Sequence, residues 1–142
     1  MSAASTQDTV TAAPSRHTRP RVVIVDDYAP FREVARLLLA ARGYNVVAEA
    51  SCAATALNAV ERHAPDGVLL DVCLGDDNGF VVCESLTRAR PGLAVLLASA
   101  DVPYDPALIA RCGASGFVRK DHLTRIDFGT FWPRRTAAIE AA

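Results

Sequence analysis

The spacing of apolar and polar positions changes repeatedly along the chain, and each change marks a new element. From Arg21 the run RVVIV is continuously apolar and ends in two acids, the pattern of a strand buried on both faces. Residues 30–42 then place Phe31, Val34, Leu37, Leu38 and Ala41 at helical spacing and stop at Gly43, a residue suited to closing a helix. The alternation continues with a strand over 44–50, a helix over 53–63, a strand over 67–70 and a helix over 79–90. After Pro91-Gly92 come a strand over 93–98, a helix over 105–112 and a short strand over 116–118. Strands that alternate with helices predict an α/β class: a doubly wound, five-stranded parallel sheet in the order 2-1-3-4-5, with right-handed crossovers placing helices on both faces.

The two ends depart from this rhythm. Residues 1–20 are rich in Ala, Ser, Thr and Pro without apolar periodicity, and are expected to form a flexible tail. A fifth helix should follow Lys120, yet Gly129 and Pro133 interrupt the pattern, so a short or atypical last helix is expected. The domain is accordingly placed at 21–128, with 129–142 as an atypical C-terminal tail. Phe128, Phe131 and Trp132 are expected to cover the core edge that a full helix would cover, in preference to forming a docking patch.

Composition refines the picture in a few places. The chain has 142 residues, 51% of them apolar but only 6% aromatic, so the core must be largely aliphatic. A net charge of −1 and scattered arginines give no field that attracts nucleic acid, so no direct nucleic-acid contact is expected. No stretch approaches the ~18 apolar residues of a membrane span, and no secretory signal is present, which predicts a soluble cytoplasmic protein away from membranes. Cys52, Cys73, Cys83 and Cys112 form no CxxC pair and read as reduced thiols. The only lysine among fifteen basic residues is Lys120.

Candidate chemistry gathers at the strand ends. In an open parallel α/β sheet, ligands bind outside the carboxyl ends of the strands, near the point where strand order reverses. Asp26 and Asp27 end the first strand, Asp71 the third, Ser99 the fourth and Lys120 the fifth. Carboxylates held about 4 Å apart repel by roughly 4 kcal/mol per pair at an effective dielectric near 20, so the cluster needs a cation or a proton. All-oxygen ligands point to a hard ion, and Mg2+ suits few carboxylates with retained waters. With a solitary lysine alongside, this is an environment for phosphoryl transfer, with Asp71 as nucleophile, Lys120 as counter-charge and Ser99 as hydrogen-bond donor.

These residues carry a resemblance. VVIVDD, LLDVCLGDDNG, LLASA and CGASGFVRKD, spread over residues 21 to about 121, resemble the receiver domains of two-component response regulators, whose sheet is flavodoxin-like. The resemblance implies that Asp71 is the phosphoacceptor, that Asp27 binds magnesium directly and Asp26 partly through water, and that Cys73 contributes its backbone carbonyl to the metal. Ser99 and Phe117 match the family's switch pair, and Lys120 its lysine. It further implies a phosphorylation-activated switch, not an enzyme, served by a histidine kinase or histidine phosphotransfer protein. With only a short tail after residue 121, the expectation is a stand-alone receiver, acting through partner binding or phosphorelay, or a fragment cut from a longer protein.

Departures from the family pattern leave room for alternatives. Leu74-Gly75 replaces the usual Met-Pro after the acceptor, and Asp76-Asp77-Asn78 makes that loop acidic, which predicts a mobile segment. Lys120 is followed by Asp121 instead of the frequent proline. A phosphorylation-independent, dimerising or scaffold receiver is the alternative function, with a homodimer formed through the helix 4–strand 5–C-terminal face. An aspartate-nucleophile phosphatase is disfavoured because Cys73 stands where its general acid belongs, and a dinucleotide fold because DDYAP replaces a glycine-rich turn.

Overall fold

Five aliphatic segments form the parallel sheet: β1 (Arg21–Val25), β2 (Asn45–Ala50), β3 (Gly67–Asp71), β4 (Ala94–Ser99) and β5 (Gly116–Arg119). Their order in the computed structural model is β2-β1-β3-β4-β5, with every neighbouring pair parallel, as the 2-1-3-4-5 pattern predicts. The structure describes residues 19–101, 103 and 105–132. The tail expected over 1–20 thus falls almost wholly outside the described residues, as does the part of the C-terminal tail beyond 132.

Local chemistry explains where the helices begin and end. Helix α1 (Ala29–Ala41) has a proline in its first turn and gives way to Gly43 at φ +92°, a left-handed conformation that glycine adopts without steric cost. Helix α2 (Ala53–His63) starts from a capping box in which Cys52 and Thr55 satisfy each other's backbone. Helix α3 (Gly79–Ala89) is capped by Asn78, whose Oδ1 accepts from Phe80 N at 2.8 Å. In α4 (Pro106–Cys112) the Asp105 carboxylate accepts from two backbone N–H groups.

Strand alternation sends side chains into two cores. On one face Val23, Val25, Val68, Leu70, Val95 and Leu97 meet α2, α3 and α4. On the other, Val22, Ile24, Leu69, Leu96 and Val118 meet Ala35 and Leu39 of α1 and the C-terminal residues Leu123, Phe128 and Trp132. Helix α1 is rotated from its expected setting: Ala35 and Leu39 are buried, whereas Val34 and Leu37 are 60% and 58% exposed. The buried face is the one that seats Ala35 and Leu39 in the core, and in this setting Arg32 and Arg36 both reach Glu49 on β2, at 3.0 and 3.3 Å.

In place of a fifth α-helix the chain makes two 3-10 segments, Lys120–Arg125 and Phe128–Thr130. Arg42, just past α1, ties them down through the carbonyls of Thr124 and Ile126, and its guanidinium lies 5.6 Å from the Phe128 ring centroid. Phe128 stacks on Trp132 at 5.1 Å between centroids, and Tyr44 meets both edge-on. A Cβ on Gly67 would lie 2.7 Å from the Trp132 ring, and one on Gly116 only 2.2 Å from Phe131. The aromatic residues therefore complete the core, as the sequence predicts, and the packed unit extends past residue 128 to Trp132.

Replacing Trp132 with alanine is expected to cost about 3–5 kcal/mol, the usual penalty for deleting a buried aromatic side chain. Urea unfolding would report this as a lower midpoint with an unchanged slope.

Candidate phosphorylation and metal site

The parallel register delivers the acids to one end of the sheet. Asp26 and Asp27 follow β1, and Asp71 closes β3 opposite Ala98, one residue before Ser99 at the end of β4. Ser99 in turn pairs with Arg119 on β5, so that Lys120 follows directly. One carboxylate oxygen from each of Asp26, Asp27 and Asp71 lies within 4.8 Å of the others. Asp26 and Asp71 are buried, while Asp27 faces solvent.

The two buried carboxylates are held by both backbone and lysine. Asp26 Oδ1 accepts from Tyr28 N at 2.9 Å, and its Oδ2 lies 2.7 Å from Lys120 Nζ. Asp71 Oδ1 accepts from Cys73 N at 3.2 Å, and its Oδ2 lies 3.4 Å from the same ammonium. The Lys120 ammonium also sits 4.2 Å from the Phe31 ring centroid, a cation–π contact that adds to its orientation. Burial pulls the Lys120 ammonium down, but Asp26 and Asp71 outweigh it and hold the group above the usual lysine value. For Asp71, burial and then the adjacent Asp26 charge raise the carboxyl above the ordinary aspartate value.

The site fits a divalent cation. Three carboxylates against one ammonium leave two negative charges, and the donors are all oxygen. The remaining expected residues lie around this centre. Cys73 is exposed and two residues beyond Asp71, Ser99 is buried at the neighbouring strand end, and Phe117 is half-buried on β5 against the core beneath α4.

Several contributors escaped the sequence reading. Arg32 donates through Nη1 to the Asp26 carbonyl at 2.6 Å, and Phe31 lies under the lysine. Gly79 is required by close approach, because a Cβ there would stand 2.3 Å from the Asp71 carbonyl oxygen. The acidic loop differs from expectation: Cys73–Leu74 and Asp77–Asn78 pair as a small antiparallel ladder, with Asp77 hydrogen-bonded to α2 and Asn78 capping α3. Asp77 and Asn78 are thus used as caps, which ties the segment to both helices.

Comparison with known proteins agrees with this geometry. A family model described as response regulator receiver domain matches residues 22–126. Probable transcriptional regulatory protein NarL of Mycobacterium tuberculosis is 38% identical over 105 residues, covering 71% of this chain and 48% of the relative. The DNA-binding transcriptional activator DevR/DosR of the same organism is 37% identical over 103 residues, with 71% and 48% covered. A crystal structure of a LuxR-family two-component response regulator from Aurantimonas sp. SI85-9A1 superposes with a TM-score of 0.68 at 31% identity, covering 72% of this chain and 74% of that one.

The chain spans about half the length of the curated relatives it matches, 48% in both cases. These relatives overturn the expectation of no direct nucleic-acid contact, since they are transcriptional regulators and one is named as DNA-binding. The physical reason is that a net charge near zero describes the field of these residues and does not decide what a protein bearing this domain binds. On membranes the finding is narrower: among the described residues no helix is long and apolar enough to cross one.

The raised Asp71 carboxyl sets a pH dependence. Between the ordinary aspartate value and the raised one, the folded chain keeps a proton that the unfolded chain releases, so metal-free stability falls as pH rises through that window. Asp71→Asn removes the buried charge, and is expected to be more stable than the parent in EDTA at about pH 7. That advantage should shrink as pH falls through the raised value toward about pH 4, near the ordinary aspartate value, below which the parent carboxyl is protonated in both states. Urea unfolding at the two pH values checks it, and a less stable variant at the higher pH would contradict it.

Proposed function

The chain belongs to the response regulator receiver family, and on that premise we propose that Asp71 is its phosphoacceptor, loaded from a histidine kinase or a histidine phosphotransfer protein with Mg2+ as cofactor. The role of a receiver in two-component systems is phosphorylation-activated signalling. The observation that carries the assignment of residues is the meeting of Asp26, Asp27 and Asp71 within 4.8 Å beside Lys120.

Asp26, Asp27, Asp71 and the Cys73 carbonyl would hold the magnesium ion, which when bound neutralises charge on the phosphoryl oxygens. An Asp71 carboxylate oxygen attacks phosphorus, and the P–O bond forms as the P–N bond of the donor phosphohistidine breaks, leaving the imidazole. Cys73 N, which already donates to Asp71 Oδ1, keeps the carboxylate turned to the site. Lys120 neutralises charge first on the acceptor and then on the phosphoryl group it carries. The Ser99 hydroxyl donates to the same group.

The new dianion draws Ser99 and its loop inward, and Phe117 turns toward the space this vacates. Phe117 lies on β5, so its movement alters the face made by α4, β5 and the 3-10 segments. Partners would read that face, and the names of the relatives point the output toward transcription. The rival use of the C-terminal aromatics as a docking patch draws little support, because Phe128 and Trp132 are buried.

Intact-mass spectrometry after incubation with acetyl phosphate tests the reading. The expected result is the gain of one phosphoryl group with magnesium, none with EDTA and none for Asp71→Asn. An unchanged mass together with no response to beryllofluoride would count against Asp71 as the acceptor.

A further inference from the structure

The metal ligands come from two separate loops. Asp26 and Asp27 lie on the β1–α1 loop, whereas Asp71 and the Cys73 carbonyl come from the β3–α3 segment. A third loop, the turn between β2 and α2, touches both. Asp26 N donates to Ala50 O at 3.0 Å at one end of that turn, and Ala53 N donates to Asp77 Oδ2 at 2.8 Å at the other.

Asp77 is built into the ladder that carries Cys73. Leu74 stands opposite Asp77 and Cys73 opposite Asn78, so the position of Asp77 is coupled by two residue pairs to the backbone of Cys73. The far end of the ladder is fixed independently, since Asn78 caps α3 and Gly79 N donates to Val72 O at 2.7 Å; Leu74, on the same rung as Asp77, is itself buried. On the side nearer Asp27, Gly75 adopts φ +63° and comes close enough that a Cβ there would be 3.5 Å from Asp27 Oδ2. The only side-chain bond from residues 75–77 to another loop, among the described residues, is the one made by Asp77.

We propose that Asp77 is a positioning residue for the magnesium site: by capping the first turn of α2 it holds the 73–78 ladder against the β2–α2 turn, and so sets the Cys73 carbonyl relative to Asp26 and Asp27. This rests on the magnesium reading above. Asp77 touches neither metal nor phosphoryl group; it acts through backbone geometry, as supporting hydrogen bonds around metal ligands commonly do. The acceptor oxygen matters here and the negative charge does not. Asparagine at this position keeps an oxygen of the same reach, and alanine does not.

The test compares the full chain with Asp77→Ala and Asp77→Asn in two measurements. Amide hydrogen exchange in EDTA reads the pin without metal: Asp77→Ala should deprotect Ala53 and residues 73–78, while Asp77→Asn should leave them as in the parent. Thermal shift during magnesium titration reads the site: Asp77→Ala should raise the half-saturating magnesium concentration about tenfold, the lower end of what loss of a supporting partner costs. Asp77→Asn should stay within about twofold of the parent. Unchanged magnesium response or unchanged exchange in Asp77→Ala overturns the proposal, and equal effects of the two variants overturn it in favour of charge. A parent without any magnesium shift refutes the magnesium reading itself, and exchange would still report whether the pin exists.

Discussion

The structure depends on holding mutually repelling carboxylates together. At about 4 Å and an effective dielectric near 20, each pair of unit charges costs roughly 4 kcal/mol, a large part of the stability of an ordinary domain. One ammonium, that of Lys120, offsets part of this by standing 2.7 Å from Asp26 and 3.4 Å from Asp71. Asp27 remains exposed and keeps much of its hydration, while burial and then the adjacent Asp26 charge hold the Asp71 carboxyl above its ordinary value. A site in this condition has free energy to gain from any divalent cation or from chemistry that rearranges its charge.

Such a cluster needs a scaffold that does not relax away from it. The strands supply one, because their registers are enforced by cores on both faces, where a slip of one residue would exchange every buried side chain for its neighbour. The C-terminal aromatics reinforce the end of the sheet remote from the acids. Trp132 lies over Gly67 and Phe131 over Gly116, the first residues of β3 and β5, whose last residues lead into the site. Apolar packing at one end thus supports electrostatic strain at the other. The 3-10 segments serve in place of a longer helix because aromatic area compensates for lost helical length.

What could be read from the sequence follows from the range of the interactions involved. Strand order and the meeting of Asp26, Asp27, Asp71, Ser99 and Lys120 were legible because topology alone brings strand ends together. The end of α1 was legible from Gly43, and Asn78, Asp105 and Gly113 close other helix ends in the same way, through contacts within a few residues. The rotation of α1 was not, because Ala35 and Leu39 are chosen for the core by the surface they meet across the sheet, and the pairing of Arg32 and Arg36 with Glu49 is likewise beyond the reach of helical periodicity. Nor was the order of the acidic loop: Asp77 finds its donor on Ala53, 24 residues away, and nothing local distinguishes a capping acid from a solvated one.

The ladder registers also constrain how a signal could leave the site. Ser99 and Arg119 are paired across β4 and β5, as are Leu97 and Phe117, so the hydroxyl and the aromatic ring lie on one two-stranded ribbon, and the lysine directly follows it. A displacement of Ser99 toward a phosphoryl group therefore need not travel through loose packing to be felt at Phe117. Lys120 begins the 3-10 segment that runs through Arg125, and Arg42 grips the Thr124 and Ile126 carbonyls near its end. The same ammonium that answers to charge at Asp71 is thus the first residue of the segment that covers the core. Motion there meets resistance from Arg42 and the stacked aromatics, which favours α4 as the part that yields. Helix α4 has seven residues and a cap at each end, so it can shift as a body at little cost in internal hydrogen bonds.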